Sequence, residues 1–189
     1  HRLEEEDPTF RLETQPETSE QLANGMGEMH LEVIMQKLKN KFGVEAVLTD
    51  PKVPFRETIR KTASAEGRHK KQSGGAGQFG VVSIEFSPIY DGEEDFEFVN
   101  AIVGGVVPKE FIPAVEKGLR DSIKHGVLAG YPMVGIRAKL YDGKYHPVDS
   151  KEVAFRSAAR LAYLAACKNA DPVILEPISK AEVQIPDEY

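Results

Sequence analysis

Residues Lys70-Lys71-Gln72-Ser73-Gly74-Gly75-Ala76-Gly77-Gln78-Phe79-Gly80 place four glycines within seven positions, directly before an apolar run. Glycine tolerates positive φ and lets another backbone approach closely, so the stretch has to be a loop with exposed amides. Arg68, His69, Lys70 and Lys71 lead into it, which suits contact with a polyanion better than core packing. A second polar loop, Lys144-Tyr145-His146-Pro147-Val148-Asp149-Ser150, follows more than sixty residues later and also adjoins a strand-like run. If the two strands pair in one sheet, both loops emerge at the same end. The candidate tip is then Gln72, Ser73, Gly74, Gly75, Ala76, Gly77 and Gln78 together with Tyr145, His146, Asp149 and Ser150. Lys70, Lys71, Lys144 and Lys151 stand by as phosphate contacts. Amides, carboxamides and rings in one place suit unpaired RNA bases, which are stacked upon and hydrogen-bonded along their edges. The same residues also fit a plain hairpin turn and a helix cap, with Asp149 as the capping side chain.

The length of 189 residues leaves room for one or two domains. A net charge of −6 speaks against a general nucleic-acid binder, but the charge is unevenly spread: residues 1–58 and 173–189 are acidic, while residues 59–172 are slightly basic. No apolar run approaches the length of a membrane span, and the acidic start His1-Arg2-Leu3-Glu4-Glu5-Glu6 is no signal peptide. The single cysteine, Cys167, excludes an internal disulfide and fits a reducing, cytoplasmic setting. It falls on an alanine-rich helical stretch, as a small buried side chain would.

Periodicity sets out the elements. Thr9 to Leu12 and Gln21 to Ala23 read as short strands. Leu31, Ile34, Met35, Leu38 and Phe42 mark one face of a helix from about Glu28 to Lys41, stopped at Gly43. Val44 to Leu48 and Phe55 to Lys61 read as strands. These elements are too few to close a core, and a strand–helix unit is expected upstream. Residues 59–172 read as an α+β unit. Val81, Ile84 and Phe86 belong to one strand, and Phe96, Phe98, Asn100 and Ile102 to a second. A helix opens near Pro108 and starts late or kinks at Pro113. A third strand carries Val134, Ile136, Ala138 and Leu140, and Asp142-Gly143 turns into the second loop. Asp149 and Glu152 have capping-box spacing ahead of a helix that buries Val153, Phe155, Ala158, Leu161, Ala162 and Ala165. Residues 173–185 are again strand-like.

Other chemistries fit poorly. Gly75-Ala76-Gly77-Gln78-Phe79-Gly80 has the form G-x-G-x-x-G, but a strand follows where a dinucleotide site needs a helix. No G-x-x-x-x-G-K-[ST] occurs. His1, His30, His69, His125 and His146 lack partners at metal-ligand spacing, so neither a metal site nor a catalytic residue is expected. In Glu28-Met29-His30 the histidine reads as packed and the carboxylate as solvated.

Taken in order, these runs resemble elongation factor G, a family of ribosomal translocases. Glu5-Glu6-Asp7-Pro8-Thr9-Phe10 and Gly25-Met26-Gly27-Glu28-Met29-His30-Leu31-Glu32 are similar to stretches of its third domain. Arg56-Glu57-Thr58-Ile59 is similar to the passage into the fourth. Gln72-Ser73-Gly74-Gly75, Gly77-Gln78-Phe79-Gly80, Gly130-Tyr131-Pro132, Asp142-Gly143, Tyr145-His146 and Val148-Asp149-Ser150 resemble the fourth. Leu175-Glu176-Pro177-Ile178 and Pro186-Asp187-Glu188-Tyr189 resemble the start of the fifth. The resemblance implies an α+β chain in three parts. Residues 1–58 would be a ferredoxin-like domain III lacking its first strand and most of its first helix. Residues 59–172 would be a domain IV of the ribosomal protein S5 domain 2-like fold, and residues 173–189 the start of domain V. It further implies a ribosome-binding arm whose domain IV tip, ending in His146, contacts tRNA and mRNA in the small-subunit decoding region during translocation. GTP hydrolysis, with GTP and Mg, belongs to the family's first domain, which these residues do not include. The implied partners are the ribosome and the remaining domains of the same chain, with no membrane. The chain departs from the family pattern at Ala76 where a basic residue is usual, at Gly135 where Asp is usual, at Lys151 where Ser often follows, and in the unusually basic run Arg68-His69-Lys70-Lys71. They leave open a divergent paralogue that binds ribosomes for recycling or stress without translocase activity.

Overall fold

The computed structural model describes residues 2–16, 18–72, 77–90 and 95–178. The chain divides into two compact units, His1–Pro54 and Phe55–Tyr189. The α+β class expected from the sequence is the class observed. No helix among the described residues is long and apolar enough to cross a membrane.

In the first unit, helix α1 (Arg2–Glu6) precedes an antiparallel hairpin of β1 (Arg11–Thr14) and β2 (Gln21–Asn24), followed by helix α2 (Glu28–Phe42). The expected stripe on α2 is the one used. Ile34 is fully buried with Leu3 and Phe10, and Leu31, Met35, Leu38 and Ala23 pack around them. Gly43 ends α2 in the left-handed conformation, with amides returning to Leu38 and Lys39. His30 is packed as expected, and it has a partner. Its Nδ1 accepts the Met26 amide (3.1 Å), so its Nε2 donates to Asp7 (2.8 Å). The Thr9 hydroxyl and then His30 hold the Asp7 carboxyl at about 2, well below the usual carboxylate range. Two differences from the sequence reading stand out here. The polar residues of α1 carry no periodic signal, so nothing in the pattern announces that helix. Val44 to Leu48 forms no strand, and Val47 is 87% exposed. Alternation creates a strand only where a neighbour supplies backbone partners, and no described strand pairs with this run.

The second unit is built on a four-stranded sheet of order β4-β5-β7-β6. Strands β4 (Ala63–Lys71), β5 (Gln78–Pro88) and β7 (Ile136–Lys144) are successively antiparallel, and β6 (Phe96–Asn100) lies parallel to β7. Helices α3 (Ile112–Ser122) and α4 (Glu152–Asn169) cover one face, over Val82, Ile84, Phe86, Ile136, Ala138 and Leu140, all fully buried. α3 starts late, as Pro113 requires, after a 3₁₀ turn at Lys109–Phe111. α4 lies so close to the sheet that a Cβ on Gly67 of β4 would come within 1.9 Å of the Ala158 carbonyl oxygen. Only glycine fits there, and only small residues fit opposite. The buried face of α4 therefore reads Ala154, Phe155, Ala158, Ala159, Ala162, Tyr163, Ala166 and Cys167. Val153, Leu161 and Ala165, expected inside, face outward. Cys167 is fully buried, and burial pushes its thiol up to about 12.

Three sequence assignments change. Of the stretch read as a loop, Lys70 and Lys71 belong to strand β4, and Gln78, Phe79 and Gly80 belong to strand β5. Asp142 and Gly143 lie inside β7, opposite Ser83 and Val82, where a β-bulge between Ser83 and Ile84 absorbs one extra residue. A short strand β3 (Arg56–Ile59), read as the exit from the first unit, pairs antiparallel with β8 (Pro172–Leu175) in the second. Beside it the side chain of Glu57 is completely buried. Its carboxylate accepts the amides of Leu128 (2.8 Å), Ala129 (2.8 Å), Gly130 (2.9 Å) and Tyr131 (3.1 Å). One acidic side chain thus fixes the whole turn between α3 and β7.

Candidate functional site

The sheet decides where the candidate residues go. Because β4 and β7 both pair with β5, Lys71, Gln78 and Lys144 end at one edge of the sheet: Lys71 lies opposite Gln78, and Val81 opposite Lys144. The loop after β4 and the loop after β7 therefore share an end of the second unit. Gln72 and Gly77 flank the first loop; Ser73, Gly74, Gly75 and Ala76 lie outside the described residues.

Phe79 joins the two loops. Its amide donates to the Asp149 carbonyl (2.9 Å), and its carbonyl accepts the Ser150 hydroxyl (2.8 Å). The same hydroxyl oxygen accepts the His146 amide (2.8 Å), and the Ser150 amide returns to the His146 carbonyl (3.0 Å). The Phe79 ring meets the His146 imidazole edge-on, with centroids 6.3 Å apart. Gly77 is buried against Asp149, where a Cβ would lie 2.7 Å from the carboxylate. A larger residue at Gly77 would force the Asp149 carboxylate to move. Gln78 turns the other way and bonds His69 Nε2 through its Oε1 (2.9 Å).

These contacts assign each polar group. The Asp149 and Glu152 pair makes no capping box: the residue before α4 is Lys151, and no side chain caps the helix. The reason is local, because Asp149 and Ser150 are committed to Phe79 and His146 before the helix begins. His146 Nδ1 accepts the amides of Val148 (3.3 Å) and Asp149 (3.2 Å) and lies 3.6 Å from the Asp149 carboxylate. That leaves its Nε2–H as a donor with no hydrogen-bond partner among the described residues. The side chains of His146 and Tyr145 are about half exposed, while Asp149 and Ser150 are partly buried supports. Lys70, Lys71, Lys144 and Lys151 are exposed around them. Sequence reasoning leaves Phe79 off the site. Its one signal is its position as the single large apolar residue between Gln78 and Gly80.

The end so formed offers a ring, a hydrogen-bond donor and ammonium groups on a fixed base. Among its described residues, the one serine hydroxyl, that of Ser150, donates to the Phe79 carbonyl and not to a side-chain base. The sequence contains no G-x-x-x-x-G-K-[ST], and no three His, Cys, Asp or Glu side chains among the described residues cluster as metal ligands.

Comparison with known proteins bears on both units. The sequence model for elongation factor G, domain III, matches residues 1–50, and that for elongation factor G, domain IV, matches residues 51–171. A crystal structure of a protein from Thermus thermophilus is 44% identical and superposes with a TM-score of 0.82 over 92% of this chain. The chain spans 26% of the length of that relative. Together with the pairing of the two loops on one sheet, these matches show that the chain belongs to the elongation factor G family and carries its domains III and IV.

Proposed function

We propose that the second unit is the RNA-contacting end of a ribosome-binding arm in a translational GTPase. The arm promotes movement of tRNA and mRNA through the decoding region of the small subunit. The observation that carries this reading is the joining of the two loops through Phe79, Asp149 and Ser150. A mechanical probe has to keep its shape under load. Here the exposed His146 and Tyr145 stand on a loop anchored to the sheet by backbone and hydroxyl bonds. The imidazole acts by stacking and donating a hydrogen bond, not by moving protons. GTP and Mg act in another part of the full-length protein, and the protein works with ribosomes in the cytoplasm.

A loop graft tests the reading. Residues 70–80 and 144–151 are transplanted into a translocation-competent member of the family, and one round of translocation is timed. The expected result is a rate within about twofold of the parent. Ribosome binding retained with translocation lost would instead identify a paralogue that occupies ribosomes for another purpose, in line with the departures at Ala76 and Lys151.

A further inference from the structure

Among the described residues of the second unit, no helix covers the face of the sheet away from α3 and α4, and strand register sorts its charges into rows. Nearest the tip, Lys70 lies opposite Phe79. In the next row Arg68, Val81 and Lys144 run across β4, β5 and β7. The third row is acidic, with Glu66 and Asp142 on either side of Ser83. Beyond it the charges cancel: Lys139 meets Glu85 at 4.0 Å and Arg137 meets Glu97 at 2.6 Å. Arg68, Lys70 and Lys144 are exposed, and among the described residues no carboxylate pairs with them.

This sorting is what an anion-binding strip with a defined end requires. Rows are about 7 Å apart along the strands, and neighbouring strands about 4.8 Å apart. Three uncompensated cations therefore lie within reach of consecutive phosphates, and the carboxylates of the third row repel a backbone that runs further. A protein partner would look for an apolar centre with a polar rim. Here the centre is Val81, only 3% exposed, so the strip offers charge and no apolar surface.

We propose that the face of the sheet away from α3 and α4 is a second contact surface for RNA, gripping a phosphate backbone through Arg68, Lys70 and Lys144 and ending at the Glu66–Asp142 row. The proposal rests on the reading of the tip as RNA-contacting and extends the footprint beyond the loops. It makes the tip a reader of bases and the strip a holder of the strand that leaves it.

The test uses the 189-residue chain and a fluorescein-labelled RNA stem-loop, with affinity followed from about 50 to about 200 mM salt. Replacing Arg68, Lys70 and Lys144 by Ala together is expected to flatten the slope of log K against log salt by about 2 to 3. Glu66→Gln with Asp142→Asn should tighten binding severalfold. Replacing Arg137, Lys139, Glu85 and Glu97 together by Ala, which removes both members of each far pair, should leave binding within about twofold, since those charges already cancel. Circular dichroism confirms that each variant is folded. If the far pairs matter as much as the near three, the proposal is overturned in favour of diffuse charge. If only His146→Ala and Gln72→Ala weaken binding, the strip is overturned and the tip stands. If only the strip variants weaken it, the strip stands and the tip reading fails. If the triple variant loses ribosome binding but keeps RNA binding, an acidic protein surface is the occupant and the proposal is overturned. No binding of RNA by the parent chain overturns both readings.

Discussion

Glu57 shows how much one side chain can settle. A carboxylate with no exposure is costly unless its oxygens are bonded, and here four consecutive amides provide the bonds. The hydrogen bonds also fix the turn leading into β7, the strand that ends at the tip. Glu57→Gln keeps one oxygen for three of the amides but turns an amide nitrogen towards the Leu128 N–H. It is expected to destabilise the second unit by about 2 kcal/mol, and Glu57→Ala, which abandons all four donors, by about 3–5 kcal/mol. Urea unfolding with an unchanged m-value measures both. A change within about 0.5 kcal/mol for either would place Glu57 among ordinary surface residues. Nothing in the sequence marks it, because four adjacent amides converging on one carboxylate leave no pattern in side chains.

At the scale of elements, what is legible follows from what periodicity encodes. α2 and β6 stand where alternation and helical spacing put them, because each has one wet face and one dry face. α4 also stands where expected, but its buried stripe is one residue out of phase with the apolar pattern. That pattern favours the large residues Val153 and Leu161, whereas the packing with β4 selects the small ones. Gly67 is the cause, and its role is visible only when the helix is laid over it. Gly67→Ala is expected to cost about 3 kcal/mol, because the methyl group meets helix backbone that cannot swing aside. A fall in the thermal midpoint checks this, whereas an unchanged midpoint would mean that α4 sits further from the sheet. The strand expected at Val44 to Leu48 fails for the opposite reason, since a pattern without a pairing neighbour builds nothing. The tip is legible as two loops. Their joining through Phe79 is not, because the bonds run from backbone to backbone and from a serine hydroxyl to a carbonyl.

At the scale of the whole molecule, the second unit divides the labour between a packed support and an exposed end. The sheet with α3 and α4 is the support, with a core of valine, isoleucine and leucine on the sheet and α3, alanines on α4, and the rings of Phe86, Phe155 and Tyr163. The exposed end carries the groups proposed to meet RNA, and those groups are held in place by bonds between distant parts of the chain. The measurement that tests this most directly is one round of translocation by the full-length protein with His146→Ala, timed beside GTP hydrolysis. A stacking contact is worth about 1–3 kcal/mol, so translocation is expected to slow roughly tenfold while hydrolysis stays within about twofold. Equal translocation rates for the variant and its parent would contradict the account.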